Sequence, residues 1–250
     1  MNCYPVFNLP VFANGLAAAA GRMVDAAAEG RSAYACVCNV HMAMETRDDP
    51  AFAEVVKSAD WVVPDGMPLV WAARLQGVPA GRVRGFDLTL SCCDLAARRG
   101  IPVGFFGGSE AALAGAVRAV RERFPELQVA YAFSPPMRPP TDAETAAQET
   151  AFAASGARLL FVGLGCPKQE KWMHARRGRV PAVMLGVGAV FAFLAGTKPH
   201  APRWMQACGL EWLFRWCCEP RRLAARYLRH NPRFVLYLVR LWLAARRKPG

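Results

Sequence analysis

LFVGLGCPKQEKW, Leu160 to Trp172, decides how the rest of the chain is read. The apolar run from Leu159 to Leu164 reads as a buried strand. It breaks at Gly163, Gly165 and Pro167, and a charged helix start follows at Lys168, Gln169 and Glu170. Such a joint gathers backbone N–H groups and the positive end of a helix at one spot, which suits an anion such as a phosphate. An ordinary strand–turn–helix connection has the same pattern.

The same alternation extends in both directions. Strand candidates are Tyr34–Cys38, Trp61–Val63, Pro102–Phe106, Leu127–Ala132, Leu159–Val162 and Ala182–Leu185. Helical patterns follow from Met67, from Ser109 to Phe124 and from about Asp142 to Ala154. Strands alternating with helices across short glycine turns predict an α/β fold: a Rossmann-like parallel sheet with helices on both faces. Composition changes near Thr197. We therefore divide the chain into an α/β domain, 1–198, and a helical, basic appendage, 199–250.

The net charge is +12, and Arg203–Gly250 holds +9 of it, with ten Arg and one Lys against Glu211 and Glu219. A near-neutral body with a basic tail points to an acidic partner: anionic lipid, nucleic acid or a phosphorylated substrate. Arg226, Arg229, Arg233, Arg240 and Arg247 recur at helical spacing, so a basic stripe is expected, with a break or new helix start at Asn231-Pro232. Such a helix can rest in a membrane interface or pack on its own domain. The apolar run Phe234–Ala245 is too short to span a bilayer, which takes ~20 residues. The N-terminus lacks a signal-peptide pattern. The nine cysteines form CxC and CC pairs, not CxxC, and read as reduced, mostly core thiols.

Several residues can carry chemistry. Asp65, in WVVPDGMPLVW, stands at a strand end beside Gly66, where α/β sheets bind ligands. It can be a general base, although position alone favours a helix N-cap. Gly104, Gly107 and Gly108 form a second glycine joint, without GxGxxG or GK[ST], and Ser109 caps the following helix. Asn39 ends a strand and suits a sugar hydroxyl or a uracil edge. The four histidines have no HxxxH or HExxH spacing, and no DxD pair is present, so no metal or other cofactor is expected.

These blocks together resemble a known family. They are Asn39-Val40-His41-Met42, Asp65 to Trp71, Arg84-Gly85-Phe86-Asp87-Leu88, Gly104 to Gly108, Gly163 to Glu170 and Gly186 to Ala189. Ala201 to Met205, Gly209 to Trp212 and Glu219 to Arg222 continue the series. The chain is similar to the WecG/TagA/CpsF glycosyltransferases, glycosyltransferase family 26, from roughly Asn8 to Phe234.

The resemblance implies an inverting, metal-independent transfer from a UDP-sugar to a polyprenyl-diphosphate-linked saccharide. The setting would be surface-polysaccharide or exopolysaccharide assembly on the cytoplasmic face of the membrane, the enzyme being peripheral. It implies Asp65 as the base. Arg215, Arg221 and Arg222 would approach the diphosphate, and Asn39 and Gln169 would line the site. Arg84 and Asp87 match a further block, and Gly107, Gly108, Gly165, Lys168, Glu170 and Arg203 complete the candidate substrate-binding set. Four positions depart from the family's common residues: Val37, Phe86, Ala192 and His200. They bear on the donor, for which glucuronate and N-acetylmannosamine types both stand, the Asn39-Val40-His41-Met42 wording leaning towards the exopolysaccharide branch and so towards glucuronate. A homo-oligomer is left open. Two rival classes are a nucleic-acid-binding protein using the Arg/Trp-rich tail and a glycoside hydrolase with Asp65 and Glu170 as paired carboxylates.

Overall fold

A computed structural model describes residues 2–136 and 138–246. The chain begins with a hairpin, β1 (Cys3–Val6) and β2 (Leu9–Phe12), then α1 (Gly15–Ala28), β3 (Ala33–Cys38), α2 (Val40–Asp48), α3 (Pro50–Lys57) and β4 (Trp61–Pro64). It continues through α4 (Met67–Leu75), α5 (Gly85–Arg98), β5 (Val103–Gly107), α6 (Glu110–Arg123), β6 (Val129–Phe133) and α7 (Asp142–Ser155). β7 (Leu159–Gly163), α8 (Lys168–Arg176), β8 (Val183–Gly186) and α9 (Val190–Leu194) complete the α/β body. Three helices follow: α10 (Arg203–Ala207), α11 (Glu211–Cys218) and α12 (Pro220–Arg246).

The sheet has eight strands in the order β1-β2-β4-β3-β8-β7-β5-β6, parallel except for the β1/β2 hairpin. Central β3 shows why. Its residues are all buried, and they alternate between two cores. Ala33, Ala35 and Val37 face the layer holding α1, α5, α6 and α9. Tyr34, Cys36 and Cys38 face the layer holding α2, α3, α8 and α12. A strand covered on both faces needs a continuous apolar run, as AYACVC supplies.

Three expectations are corrected. The hairpin escaped notice because Pro5 and Pro10, which pair directly, suppress the strand pattern. Only Cys36, Cys38, Cys92 and Cys93 are buried, while Cys3, Cys208, Cys217 and Cys218 are exposed and Cys166 is partly so. Helix α12 runs unbroken through Pro232. That proline removes a bond to the carbonyl of Leu228, whose residue is exposed and open to water. His230 and Phe234 are buried on either side of Pro232, so packing holds both halves in line.

Helix α12 packs on α2 and α4 and clasps the hairpin. Phe7, at the hairpin turn, has a left-handed φ of 51°, a costly conformation for a large side chain. Its ring lies 4.2 Å from that of Tyr237 and 6.0 Å from that of Phe234, and its N–H donates to the Tyr237 hydroxyl at 3.3 Å. Phe234→Ala should therefore cost about 3–5 kcal/mol, the range for a fully buried aromatic. Urea unfolding measures this, and a loss below ~1 kcal/mol is incompatible with the docked α12.

Candidate active site

The strands β3, β4, β7 and β8 all end at one cavity of about 400 Å³. Their carboxyl ends deliver Asn39, Asp65, Gly165 and Gly188 to its wall. The connection before α5 adds Arg82 and Arg84, and the appendage adds Glu211, Trp212, Arg215, Arg222, Arg226 and Tyr227. Ligand sites in open parallel sheets lie at this end. Gly209 helps to close the cavity: a Cβ there would stand 3.1 Å from the ring of Trp71 and from Met67, and its φ is +74°.

Asp65 is not a helix cap. Gly66, at φ 128°, occupies the N-cap position of α4, and no side chain bonds to that helix end. The Asp65 backbone N–H donates to the Cys38 carbonyl at 2.7 Å, which fixes it between β3 and β4. Among the described residues its carboxylate has no hydrogen-bonded partner. Burial holds the carboxyl above its ordinary range, while Arg215, Arg82 and Arg84 pull it down and Glu211 pushes it up. A free, partly desolvated carboxylate of this kind is suited to accept a proton.

Glu211 organises the cations around it. One of its oxygens accepts from Arg82 Nη2 at 2.5 Å and lies 3.6 Å from Arg84 Nε. The other accepts from Arg215 Nη2 at 2.6 Å. Arg82 also donates to the Gln206 carbonyl at 3.1 Å, and Arg84 donates to the Gln206 side chain at 2.6 Å. Burial works against a charged Glu211, but Arg215, Arg82 and Arg84 outweigh it and its pKa is lowered. The ring of Phe193 lies 5.0 Å from the Arg215 guanidinium.

At the PKQE turn, Gln169 makes internal bonds. The Gln169 amide oxygen accepts from the N–H groups of Gly165 at 3.1 Å and Gly188 at 3.0 Å, so both of those donors are taken. Its amide nitrogen donates to Glu170 at 2.7 Å. Gln169 thus ties two cavity loops together from below. Glu170 is fully buried, with its second carboxylate oxygen unpartnered. Burial is the main reason its pKa rises to about 7, against a pull from Gln169 and Cys166.

Of the residues expected from sequence, Asn39, Asp65, Arg84, Gly165, Gln169, Arg215 and Arg222 line the cavity. Asn39 also caps α2, its side-chain oxygen accepting from the Met42 N–H at 3.1 Å. Others stand elsewhere. Arg221 and Lys168 are exposed and outside the lining. Asp87 is outside the lining but pairs with Arg84, which belongs to it, at 3.5 Å. Gly107 and Gly108 lie outside the lining because they serve packing: a Cβ on Gly107 would meet the Gly163 carbonyl carbon at 2.7 Å. Glu170 is sealed beneath Gln169, so it cannot form an accessible pair with Asp65. Arg203 opens α10, but its side chain lies outside the described residues, as does Arg247.

Arg82, Glu211, Arg226, Tyr227, His41 and His230 also belong to the cavity wall and were not singled out as site residues. His41 lies beyond Asn39, and burial, Arg226 and His230 push its pKa down to about 3. Among the departures, Phe86 and His200 are in contact, with ring centroids 4.5 Å apart. Both line the cavity, as does Val37.

An unpartnered carboxylate and several guanidiniums thus share one cavity at the carboxyl end of a parallel sheet, the place where α/β enzymes bind their ligands. A profile of the "Glycosyl transferase WecG/TagA/CpsF family" matches residues 4–248. The chain belongs to that family and is a glycosyltransferase. It is 30% identical, over 78% of its length and 74% of the relative's, to an N-acetylglucosaminyldiphosphoundecaprenol N-acetyl-beta-D-mannosaminyltransferase of Bacillus spizizenii. A protein of the same name from Bacillus subtilis is 27% identical over 74% of this chain and 71% of its own.

The buried Glu170 generates a pH prediction. Its folded pKa, about 7, lies above its ordinary value of 4.5. Below about pH 4.5 both folded and unfolded chains hold the proton, and burial carries no titration penalty. As pH rises towards 7 the unfolded chain releases it first, so the folded state loses relative stability across that window. Glu170→Gln should abolish this loss. Urea unfolding at pH 5 and pH 8 tests it: equal pH dependence in both proteins would contradict an ionisable, sealed Glu170.

Proposed function

We propose that this chain moves a sugar from a UDP-activated donor to a polyprenyl-diphosphate-linked saccharide, with inversion. The observation that carries the proposal is the unpartnered Asp65 carboxylate facing Arg215 and its neighbours across one cavity. Asp65 takes the proton from the acceptor hydroxyl as that oxygen attacks the anomeric carbon. UDP leaves on the opposite side, and Arg215, with Arg222 and Arg226, receives its growing charge without a divalent ion at that position. Fixed donors of this type are typically worth ~3 kcal/mol each, about a hundredfold in rate.

The acceptor assignment draws on the names of the two Bacillus relatives and on the appendage. Leu228, Val235, Val239 and Trp242 recur along one exposed line of α12, flanked by Leu236 and Leu243. Val235 also lines the cavity, so the apolar line runs into the catalytic opening. No helix among the described residues is long and apolar enough to cross a membrane. We place α12 flat in the interface on the cytoplasmic side, guiding a lipid-linked substrate inward. Two of the stripe arginines are engaged internally: Arg233 pairs with Asp48 at 2.5 Å and Arg229 at 3.3 Å. The attachment therefore rests more on the apolar line than on the basic stripe. The nucleic-acid alternative has less support, because Trp212 stacks on Trp216 and meets Tyr227 edge-on rather than standing free.

The relatives' names favour N-acetylmannosamine as the transferred sugar, and glucuronate is the comparison donor. The enzyme, UDP-N-acetylmannosamine or UDP-glucuronate, and N-acetylglucosaminyl-diphosphoundecaprenol make the decisive assay. Transfer from the first donor is expected; no transfer from either with UDP bound would overturn the acceptor assignment. Asp65→Asn should retain UDP binding and lose transfer, and unchanged turnover removes it as the base. Arg215→Ala should lower kcat about a hundredfold, whereas Arg221→Ala, outside the lining, should change it little. Val239→Glu with Trp242→Glu should abolish co-sedimentation with anionic vesicles while leaving UDP binding intact; undiminished vesicle binding would dismiss the interfacial α12.

A further inference from the structure

His41, Glu45 and His230 place one potential ligand atom each within 4.8 Å of one another. His41 and Glu45 are one turn apart on α2, and His230 comes from α12, almost two hundred residues later in the chain. His230 Nε2 lies 3.2 Å from Glu45 Oε1, and His41 Nδ1 lies 3.8 Å from the same oxygen. The ring centroids of the two histidines are 5.1 Å apart. His41 Nδ1, the nitrogen that faces Glu45, is buried without a hydrogen-bond partner, and His230 is only 3% exposed. Buried polar nitrogens left unpaired are rare and call for an explanation.

We propose that these three side chains form a site for a divalent transition-metal ion of the zinc class, clipping the appendage to the α/β body. Two imidazoles and one carboxylate are a borderline donor set that suits such an ion better than magnesium or calcium. A tetrahedral ion with bonds of ~2.0–2.2 Å holds its ligand atoms about 3.3–3.6 Å apart. The two distances to Glu45 Oε1, 3.2 and 3.8 Å, bracket that separation. Both histidines line the cavity, so water can supply the fourth ligand from that side.

The surroundings set the role. Arg226 acts on His41 electrostatically and opposes a cation, while the Glu45 carboxylate offsets it. Next to the cluster, Arg229 and Arg233 already tie α12 to Asp48 at the end of α2. The ion would add a coordinate link at the same junction. It borders the arginine cluster proposed to receive the diphosphate through Arg226, but the inference does not rest on the transferase reading.

Metal uptake by the full-length protein tests the clip. The exposed thiols of Cys3, Cys208, Cys217 and Cys218 are first alkylated and bound metal is removed with chelator. Titration with Co²⁺ should give one equivalent with visible d–d absorption and no thiolate charge-transfer band, and Zn²⁺ should displace it. Zn²⁺ at a hundredfold excess over Kd should raise Tm by roughly 5–10 °C. His41→Gln and His230→Gln should each remove the absorption and the Tm rise; His41 is partly exposed, and its substitution leaves the core intact. Failure of the unmutated protein to take up Co²⁺, or a spectrum unchanged in His41→Gln, overturns the proposal.

Discussion

The cavity depends on Glu211 holding Arg82 and Arg215 on its two oxygens. Three guanidiniums act electrostatically on Asp65 and would compete for its carboxylate. Glu211 supplies the competing carboxylate. It binds the arginines by charge-assisted bonds and leaves Asp65 without a partner. The cluster of Asp65, Glu211, Arg82, Arg84 and Arg215 keeps an excess of positive charge, and Arg222 and Arg226 add to it. Burying these charges is costly, so the ion pairs are better understood as fixing geometry than as stabilising the fold.

This arrangement crosses the boundary drawn near residue 198. Asp65, Arg82 and Arg84 come from the α/β body, and Glu211 and Arg215 come from α11. Helix α12 reinforces the union with a divided surface. Its buried face, Leu223, His230 and Phe234, docks on the body. Its exposed apolar line stands away from the protein. Between them, Arg222 and Arg226 reach the cavity while Arg229 and Arg233 hold Asp48. One helix thus binds the body, faces the cleft and presents an apolar surface.

The sheet was legible in the sequence because strands such as AYACVC and LLFVG are uninterrupted apolar runs, which signal burial on both faces. Asp65 was legible as a strand-end residue next to a glycine, although its residue type favoured a cap that Gly66 in fact provides. Arg82 and Glu211 were not legible as a pair, since they come together only across 129 positions. The same limit hid His230, because spacing along one helix reveals His41 and Glu45 but not a third group from α12. Lys168 and Arg221 were misplaced for the opposite reason. They sit beside residues that do line the cavity, and one step along a helix turns a side chain by about 100°.

Gln169 shows how the body keeps the cleft open. Parallel strands end in loops whose N–H groups could bind a phosphate or one another. By accepting from Gly165 and Gly188 together, the Gln169 amide joins the ends of β7 and β8 and removes both donors from competition. Its own orientation is set by Glu170 below. The site therefore has a neutral, rigid floor on the β7/β8 side and concentrated positive charge on the appendage side. An anionic group entering this asymmetric space meets its positive charge on the appendage side.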